Sequence, residues 1–339
     1  MAKLDQRVLL SSSPHFSSPA TVRRLMANVL IALAPAAAYG VVLYGLPALL
    51  TILVSVAAAL ASDALFRLAL RQKPRIDDCS AAVTGLLLAL VLPPSTPLWM
   101  TALGAIFAVV VAKEFFGGLG ANVFNPALIG RAFLIMSFPA AITAWHRPVG
   151  FAAALTDAVS TATPLNILKM GGSVQDVGAG FLAQGTAASG DYGSVLWTLF
   201  IGNRAGCIGE SSILLILAGA VYLMATRTID WRAPAAMIGT TFLASLALGM
   251  DPVFGVLAGG VVFGAVFMAT DYVSAPLTAW GKLIFGFGAG LITVLIRKWG
   301  GYPEGVTYGI LIMNALTPFL NRLIQKKYGY VRPAKGAAK

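Results

Sequence analysis

Ten apolar stretches cover most of this chain, and no single water-soluble core has room for them all. They run at about 25–44, 46–66, 79–92, 98–112, 123–144, 211–226, 233–250, 252–269, 282–296 and 305–321. Only 11% of the 339 residues are charged, against roughly 25% in soluble domains. Lipid is the solvent that suits such a sequence. In lipid every backbone N–H and C=O must be satisfied within the protein, which leaves helices as the spanning element for long apolar runs. The expected fold class is an all-α polytopic membrane protein with about ten transmembrane helices. Several runs are short. Residues 79–92 make 14 residues, or about 21 Å of helix against a hydrocarbon core of about 30 Å. A segment of that length has to be tilted, broken or enclosed by other helices.

The net charge of +11 raises the question of where the charge sits. With the N-terminus placed inside, 18 of the 24 Lys and Arg residues fall in inside segments, five fall outside (Arg147, Lys169, Arg204, Arg297, Lys298), and Arg131 lies within an apolar run. The positive-inside rule then puts both termini in the cytoplasm and residues 145–210 on the outer side. The basic surplus is a topology signal, so nucleic-acid binding is not expected. The N-terminus is polar and basic and lacks the short apolar core and cleavage site of a signal peptide.

The runs divide five and five around the long polar segment, and an odd number per half inverts the second half. The expected domains are a cytoplasmic segment 1–24, a first five-helix repeat 25–144, an outer-side loop 145–210, a second repeat 211–323 and a basic cytoplasmic tail 324–339. Lys113-Glu114-Phe115-Phe116-Gly117-Gly118 parallels Arg297-Lys298-Trp299-Gly300-Gly301. Each is followed by a Gly- or Pro-interrupted run carrying asparagine: Asn122 and Asn125, then Asn314. Broken segments at matching places in two inverted halves point to a ligand or ion site near the midplane. Glycine used for close helix packing is the competing reading.

Cys79 and Cys207 belong to no C-x-x-C pair, so this chain alone is not expected to hold an iron–sulfur cluster. His15 and His146 are too few for a local metal motif. In the polar segment, Thr163-Pro164 is a helix start, with threonine as cap and proline at the first helical position. A short helix over Leu165–Met170 follows, and its first N–H groups suit an anionic group. Pro126 and Gly130 interrupt a run in which Asn122 and Asn125 offer amides and Arg131 needs an anionic partner or a route to the interface. Asp63, Asp77, Asp78, Glu114, Asp251, Asp271 and Glu304 lie near apolar runs. Asp63, Glu114 and Asp251 are the candidates for an ion path; interfacial, solvated acids are the alternative.

Asp157-Ala-Val-Ser160-Thr161-Ala162-Thr163 resembles the D-x-x-S-(G/T)-A-T signature at which a flavin transferase joins FMN to threonine through a phosphodiester. Thr161 stands where many such signatures have glycine. With Ser13-Pro14-His15, the Asn122–Phe133 stretch and Gly202-x-x-x-Gly206-x-x-Gly209-Glu210-x-Ser212, the chain resembles a membrane-protein family. That family holds the D subunit of Rnf ion-translocating electron-transport complexes and the B subunit of the sodium-pumping NADH:quinone oxidoreductase. The resemblance implies a bacterial inner-membrane component with covalent FMN on Thr163, Asp157, Ser160 and Ala162 forming the attachment signature. It also implies a second, noncovalent flavin, riboflavin, with Asn122, Asn125 and Arg131 as candidates to hold it. Electrons would pass between ferredoxin and NAD through this chain, the flavin-bearing G subunit, the A and E membrane subunits and the B and C iron–sulfur subunits, driving Na+ or H+ across the membrane. The protein's part is to position the flavins and set their electrostatics. A small-solute transporter or channel with inverted repeats, and a scaffold without cofactor, are the competing classes. A flavin that survives denaturation separates the first reading from both.

Overall fold

Each of the ten apolar stretches coincides with helix in the computed structural model, which describes residues 21–148, 162–183, 185–186, 189–302 and 304–323. None of the described residues forms a β-strand. Helix α1 (Val22–Tyr44) starts on Thr21, whose Oγ1 accepts from Arg24 N, and α2 (Leu46–Ala69) follows after one residue. That residue, Gly45, has φ +72°, a left-handed conformation that glycine adopts without strain. Then come α3 (Ser80–Leu90), α4 (Leu98–Val110) and α5 (Pro126–Ser137). The stretch read as 123–144 breaks at Phe138-Pro139 into α5 and a single turn, α6 (Pro139–Ile142).

The segment 145–210 is not one polar loop. It contains α7 (Pro164–Lys169), α8 (Val174–Ala183) and α9 (Tyr192–Ile201). Their apolar faces join Phe254 and Ala258 in a small core of their own, through Val177, Phe181, Val195 and Leu199. The chain continues as α10 (Ile213–Ala225), α11 (Arg232–Ala247), α12 (Pro252–Leu257), α13 (Val261–Phe263) with a π turn Gly264–Met268, α14 (Ala279–Trp299) and α15 (Val306–Leu323). Residues 252–269 are thus one apolar stretch broken at Ala258–Gly260.

Four segments are long and apolar enough to cross a membrane alone: Val22–Tyr44, Leu46–Ala69, Leu98–Phe116 and Ala279–Trp299. The shorter ones sit among them, as α3 does between α2 and α4. The protein is multi-pass. Close approach replaces hydrophobic segregation as the packing force. A Cβ on Gly85 would lie 2.8 Å from Ser55 O, and one on Gly286 would collide with Ala233 O. Only glycine lets α3 meet α2, and α14 meet α11, so closely.

The hydrogen bonds define two ends. Tyr44, at the end of α1, donates to Arg204 O at 2.8 Å, which places the α1–α2 turn beside the segment after α9. Asp63 is 17 residues beyond Leu46 in α2, so it lies about 26 Å away along the helix axis, toward the opposite end. Asn28, near the start of α1, donates to Thr228 Oγ1 at 3.1 Å, and Leu277 N donates to Asn321 Oδ1 near the end of α15. The first and last described helices therefore open and close at one end, and α7–α9 lie at the other. Helix α1 packs on α10, α4 on α5, α11 on α14, α14 on α15, and α5 on α15.

Candidate functional site

Thr163 is the N-cap of α7: its backbone is extended and its Oγ1 accepts from Asn166 N at 3.2 Å. The cap and the proline after it form as their residue types require. Helix α7 has only six residues, too few for a large axial dipole, so charge at this place has to come from side chains. Thr163 is 5% exposed. Ala162 beside it is exposed, while Asp157, Ser160 and Thr161 lie outside the described residues.

The side chains come from three distant places. The segment after α9 turns at Gly202, with φ +104°, where a Cβ would collide with Ser211 O. It then ties itself to the end of α3, with Ile208 N donating to Leu92 O at 3.2 Å and Gly209 N to Leu90 O at 2.7 Å. This fixes Arg204 and Glu210. Arg131 arrives from the middle of α5. Arg297 comes from the last turn of α14, and Glu304 from the turn beyond it. Arg131 donates to Glu210 Oε1 at 3.4 Å and to Glu304 Oε2, and its Nη2 lies 3.6 Å from Cys207 Sγ. Arg204 donates to Leu257 O at 3.1 Å and to Glu210 O at 3.0 Å. Arg297 donates to Gly255 O and, at 2.9 Å, to Ala258 O. The two arginines thereby supply cationic partners to the carbonyls that end α12.

Three guanidiniums face two carboxylates, so the cluster carries one surplus positive charge. Nε of Arg131 and Nε of Arg297 are buried and have no protein partner. Arg204, Glu210 and Glu304 line a small void of about 20 Å³ together with Thr163. The surplus positive charge suits an anionic group such as a phosphate ester at Thr163, whose ester oxygen would keep a lone pair for Asn166 N; the void itself is water-sized, so the group would displace side chains around it. A divalent metal fits less well. Cys207, Glu210 and Glu304 bring ligand atoms within 4.8 Å of one another, but the Arg131 guanidinium already contacts all three. Two further voids adjoin the segment. One of about 240 Å³ is lined by Arg131, Trp145, Asn166, Tyr302, Glu304 and Tyr308 among others. One of about 480 Å³ is lined by Leu165, Leu168, Lys169, Asp251 and Lys298 among others.

Lys169 fastens this region. Its Nζ donates to Ile296 O, Arg297 O at 3.1 Å, Gly300 O and Tyr302 O, so one ammonium gathers the carbonyls at the end of α14. Cations at helix C-termini are favourable.

The structure separates the residues first grouped for the noncovalent flavin. Asn125 caps α5, accepting from Ala127 N at 3.0 Å and Leu128 N at 3.4 Å, and donates to Met268 O at 3.5 Å at the end of the π turn. Asn122 donates to Phe124 O, while its Oδ1 is buried without partner. Arg131 lies six residues on, about 9 Å along α5, and belongs to the Thr163 cluster instead. Asn314 is fully buried and neither of its side-chain polar atoms has a partner.

The candidate ion-path acids also divide. Asp63 and Glu114 come together in a buried quartet at the end opposite Thr163. Lys113 Nζ lies 2.9 Å from Asp63 and 3.8 Å from Glu114, and Arg67 lies 3.1 Å from Glu114 and 3.6 Å from Asp63. Two cations balance two anions. Asp251 stands apart as the N-cap of α12, accepting from Phe254 N at 2.9 Å. Glu210 stood in the glycine motif without a role, and Arg204, Arg297 and the aromatic lining were not read from the sequence as site residues. Their signal is the charge set among the glycines of 202–210 and at the end of an apolar run.

The sequence profile of the NQR2, RnfD, RnfE family matches residues 9–329. The chain belongs to that family. It is similar over 94% of its length, at 44% identity, to the D subunit of the proton-translocating ferredoxin:NAD(+) oxidoreductase complex of Clostridium ljungdahlii, of which 96% is covered. It is 41% identical over 98% of its length to the D subunit of the Na(+)-translocating ferredoxin:NAD(+) oxidoreductase complex of Acetobacterium woodii, of which 99% is covered. A third relative, the D subunit of the ion-translocating oxidoreductase complex of Stutzerimonas stutzeri, is 38% identical, with 93% of this chain and 94% of that protein aligned. The first two names differ in the ion. The span matched by the family profile includes both charge clusters and the Thr163 region.

Proposed function

We propose that this chain is the D subunit of an ion-translocating ferredoxin:NAD oxidoreductase complex and carries FMN joined to Thr163 by a phosphodiester. The observation that carries the flavin reading is Thr163 at the wall of a void shared with Arg204, Glu210 and Glu304, in a cluster with one positive charge to spare. Arg131, Arg204 and Arg297 would hold the phosphate by charge, and the segment tied down by Lys169 would keep the attachment point in place. The bound flavin supplies electron-transfer chemistry; the protein fixes its position and field. A noncovalent flavin, riboflavin, belongs with Asn122, whose Oδ1 is buried without a partner, and Asn125, which donates to Met268 O at the end of the π turn.

In this reading the ten helical stretches span the membrane as two inverted halves of five. The charge asymmetry puts both termini in the cytoplasm and α7–α9 on the outer side of the bacterial inner membrane. The partners are the flavin-bearing G subunit, the A and E membrane subunits, the B and C iron–sulfur subunits, and a flavin transferase during maturation. Electron transfer between ferredoxin and NAD drives Na+ or H+ transport.

The test is intact-protein mass spectrometry of the full chain co-expressed with a flavin transferase. Thr163→Ala removes the hydroxyl that forms the bond and abolishes the FMN mass increment. Thr163→Ser keeps part of it, and Thr161→Ala keeps most. As a cap alone, Thr163 would contribute about 1 kcal/mol and no chromophore. An unmodified wild-type mass refutes the assignment.

A further inference from the structure

Of the two larger voids beside Thr163, one is bordered by three aromatic side chains and the other by one. We infer that the void between Trp145, Tyr302 and Tyr308 seats the ring system of the flavin whose phosphate is esterified to Thr163, an inference that rests on the reading above. The void is continuous in its lining with the attachment point. Glu304 borders both the small space at Thr163 and the aromatic void, and Asn166, whose N–H is bonded to Thr163 Oγ1, borders the aromatic void as well.

Size supports the division of the ligand. Pockets for complete small molecules run roughly 300–1,000 Å³. The aromatic void, at about 240 Å³, suits a planar heterocycle and not the whole nucleotide. Chemistry supports it too. Trp145, which is buried, and the Tyr302 and Tyr308 rings, 6.4 Å apart at 32°, all border the cavity. Offset stacking on such surface is favourable at centroid distances of about 4.5–7 Å. Arg131 also borders the void, its guanidinium held there by Glu210 and Glu304. A flavin presents carbonyl acceptors at one edge, and a guanidinium there favours the electron-rich reduced ring. The other void, about 480 Å³, is bordered by Lys169 and Lys298. Both ammoniums are already engaged by helix-end carbonyls, and its only aromatic wall is the buried Phe254.

The experiment uses flavin emission from the folded full chain, co-expressed with the transferase. Tyrosine and tryptophan in contact with a flavin quench its emission by donating an electron to the excited ring. Trp145→Leu and Tyr308→Leu are each expected to raise native-state emission at least twofold at unchanged adduct mass, and denaturation is expected to equalise all variants. Tyr308→Phe, which keeps the ring face, is expected to stay nearer wild type. Tyr302→Leu, at an exposed position, guards against misfolding of the buried variants and is expected to show a smaller rise. Unchanged emission in all the leucine variants with the adduct present overturns the seat. A wild-type chain without adduct overturns the Thr163 reading itself, and the seat with it.

Discussion

Asp63→Asn in the buried quartet is expected to destabilise the protein sharply, and Lys113→Met in the same chain to restore most of the loss. The Asp63 and Lys113 side chains are 2% and 3% exposed, with Nζ 2.9 Å from the carboxylate. At an effective dielectric of 20 that separation is worth about 6 kcal/mol of gross attraction. Most of it offsets the cost of taking both charges out of water. Removing one partner leaves the other buried and uncompensated, a loss of about 3–5 kcal/mol. Ser80 Oγ, at 2.8 Å from Nζ, softens but does not neutralise the stranded ammonium. For a chain of this size that corresponds to a fall in Tm of roughly 4–7 °C. The double variant keeps Arg67 paired with Glu114 at 3.1 Å and is expected to lie within about 2 kcal/mol of wild type. The assay is thermal unfolding of the purified chain in detergent, followed by size-exclusion recovery. A single variant with wild-type Tm, or a double variant less stable than either single one, refutes the reasoning. The first outcome would mark Asp63 as a free carboxylate of the kind an ion path requires; the expected one marks it as a structural anion.

Ser189→Cys, in the segment between α8 and α9, is expected to react with an impermeant thiol reagent on intact cells; labelling only after permeabilisation reverses the orientation. Asn125→Ala is expected to lower noncovalent flavin, measured by extraction and chromatography, while the Thr163 adduct stays and stability drops by about 1 kcal/mol from the lost cap; unchanged flavin removes Asn125 from that site. At the opposite end, burial works against the Asp230 charge, but hydrogen bonds from Arg232 N, Lys282 and Arg232 outweigh it and hold the carboxyl below its ordinary value of 3.8. Its stabilisation is therefore present above about pH 4 and is lost as pH falls through the lowered folded-state value. Asp230→Asn is expected to flatten the acid limb of Tm against pH, and an identical limb in both proteins contradicts that.

Hydropathy made the helices legible because lipid demands continuous apolar runs, and Thr163-Pro164 made the start of α7 legible because capping is local. Helices α8 and α9 escaped notice because they bury their apolar faces against each other and α12, outside any long run. Arg131 was recognisably in need of a partner, but its partners Glu210 and Glu304 lie 79 and 173 residues away, and no local spacing encodes such pairing. Arg67 and Lys113 read as cytoplasmic loop charges because they end apolar runs. The structure turns both inward onto Asp63 and Glu114, so their sign reflects pairing as well as topology. The glycines at 202–209 were legible only as a family motif; in the structure the segment they shape brings Arg204 and Glu210 to the void at Thr163.

The grip of Lys169 on the end of α14 bears on how electrons can travel. Some carriers work as swinging arms, shuttling a group between donor and acceptor on a loose tether. Helix α7 has no such freedom at its far end, because one ammonium binds it to four carbonyls at the end of a helix that is itself wedged against α11 and α15. A group attached at Thr163 would be a stationary relay. Its partners would have to come within tunnelling range of it, and the gap would be set by how the neighbouring chains dock.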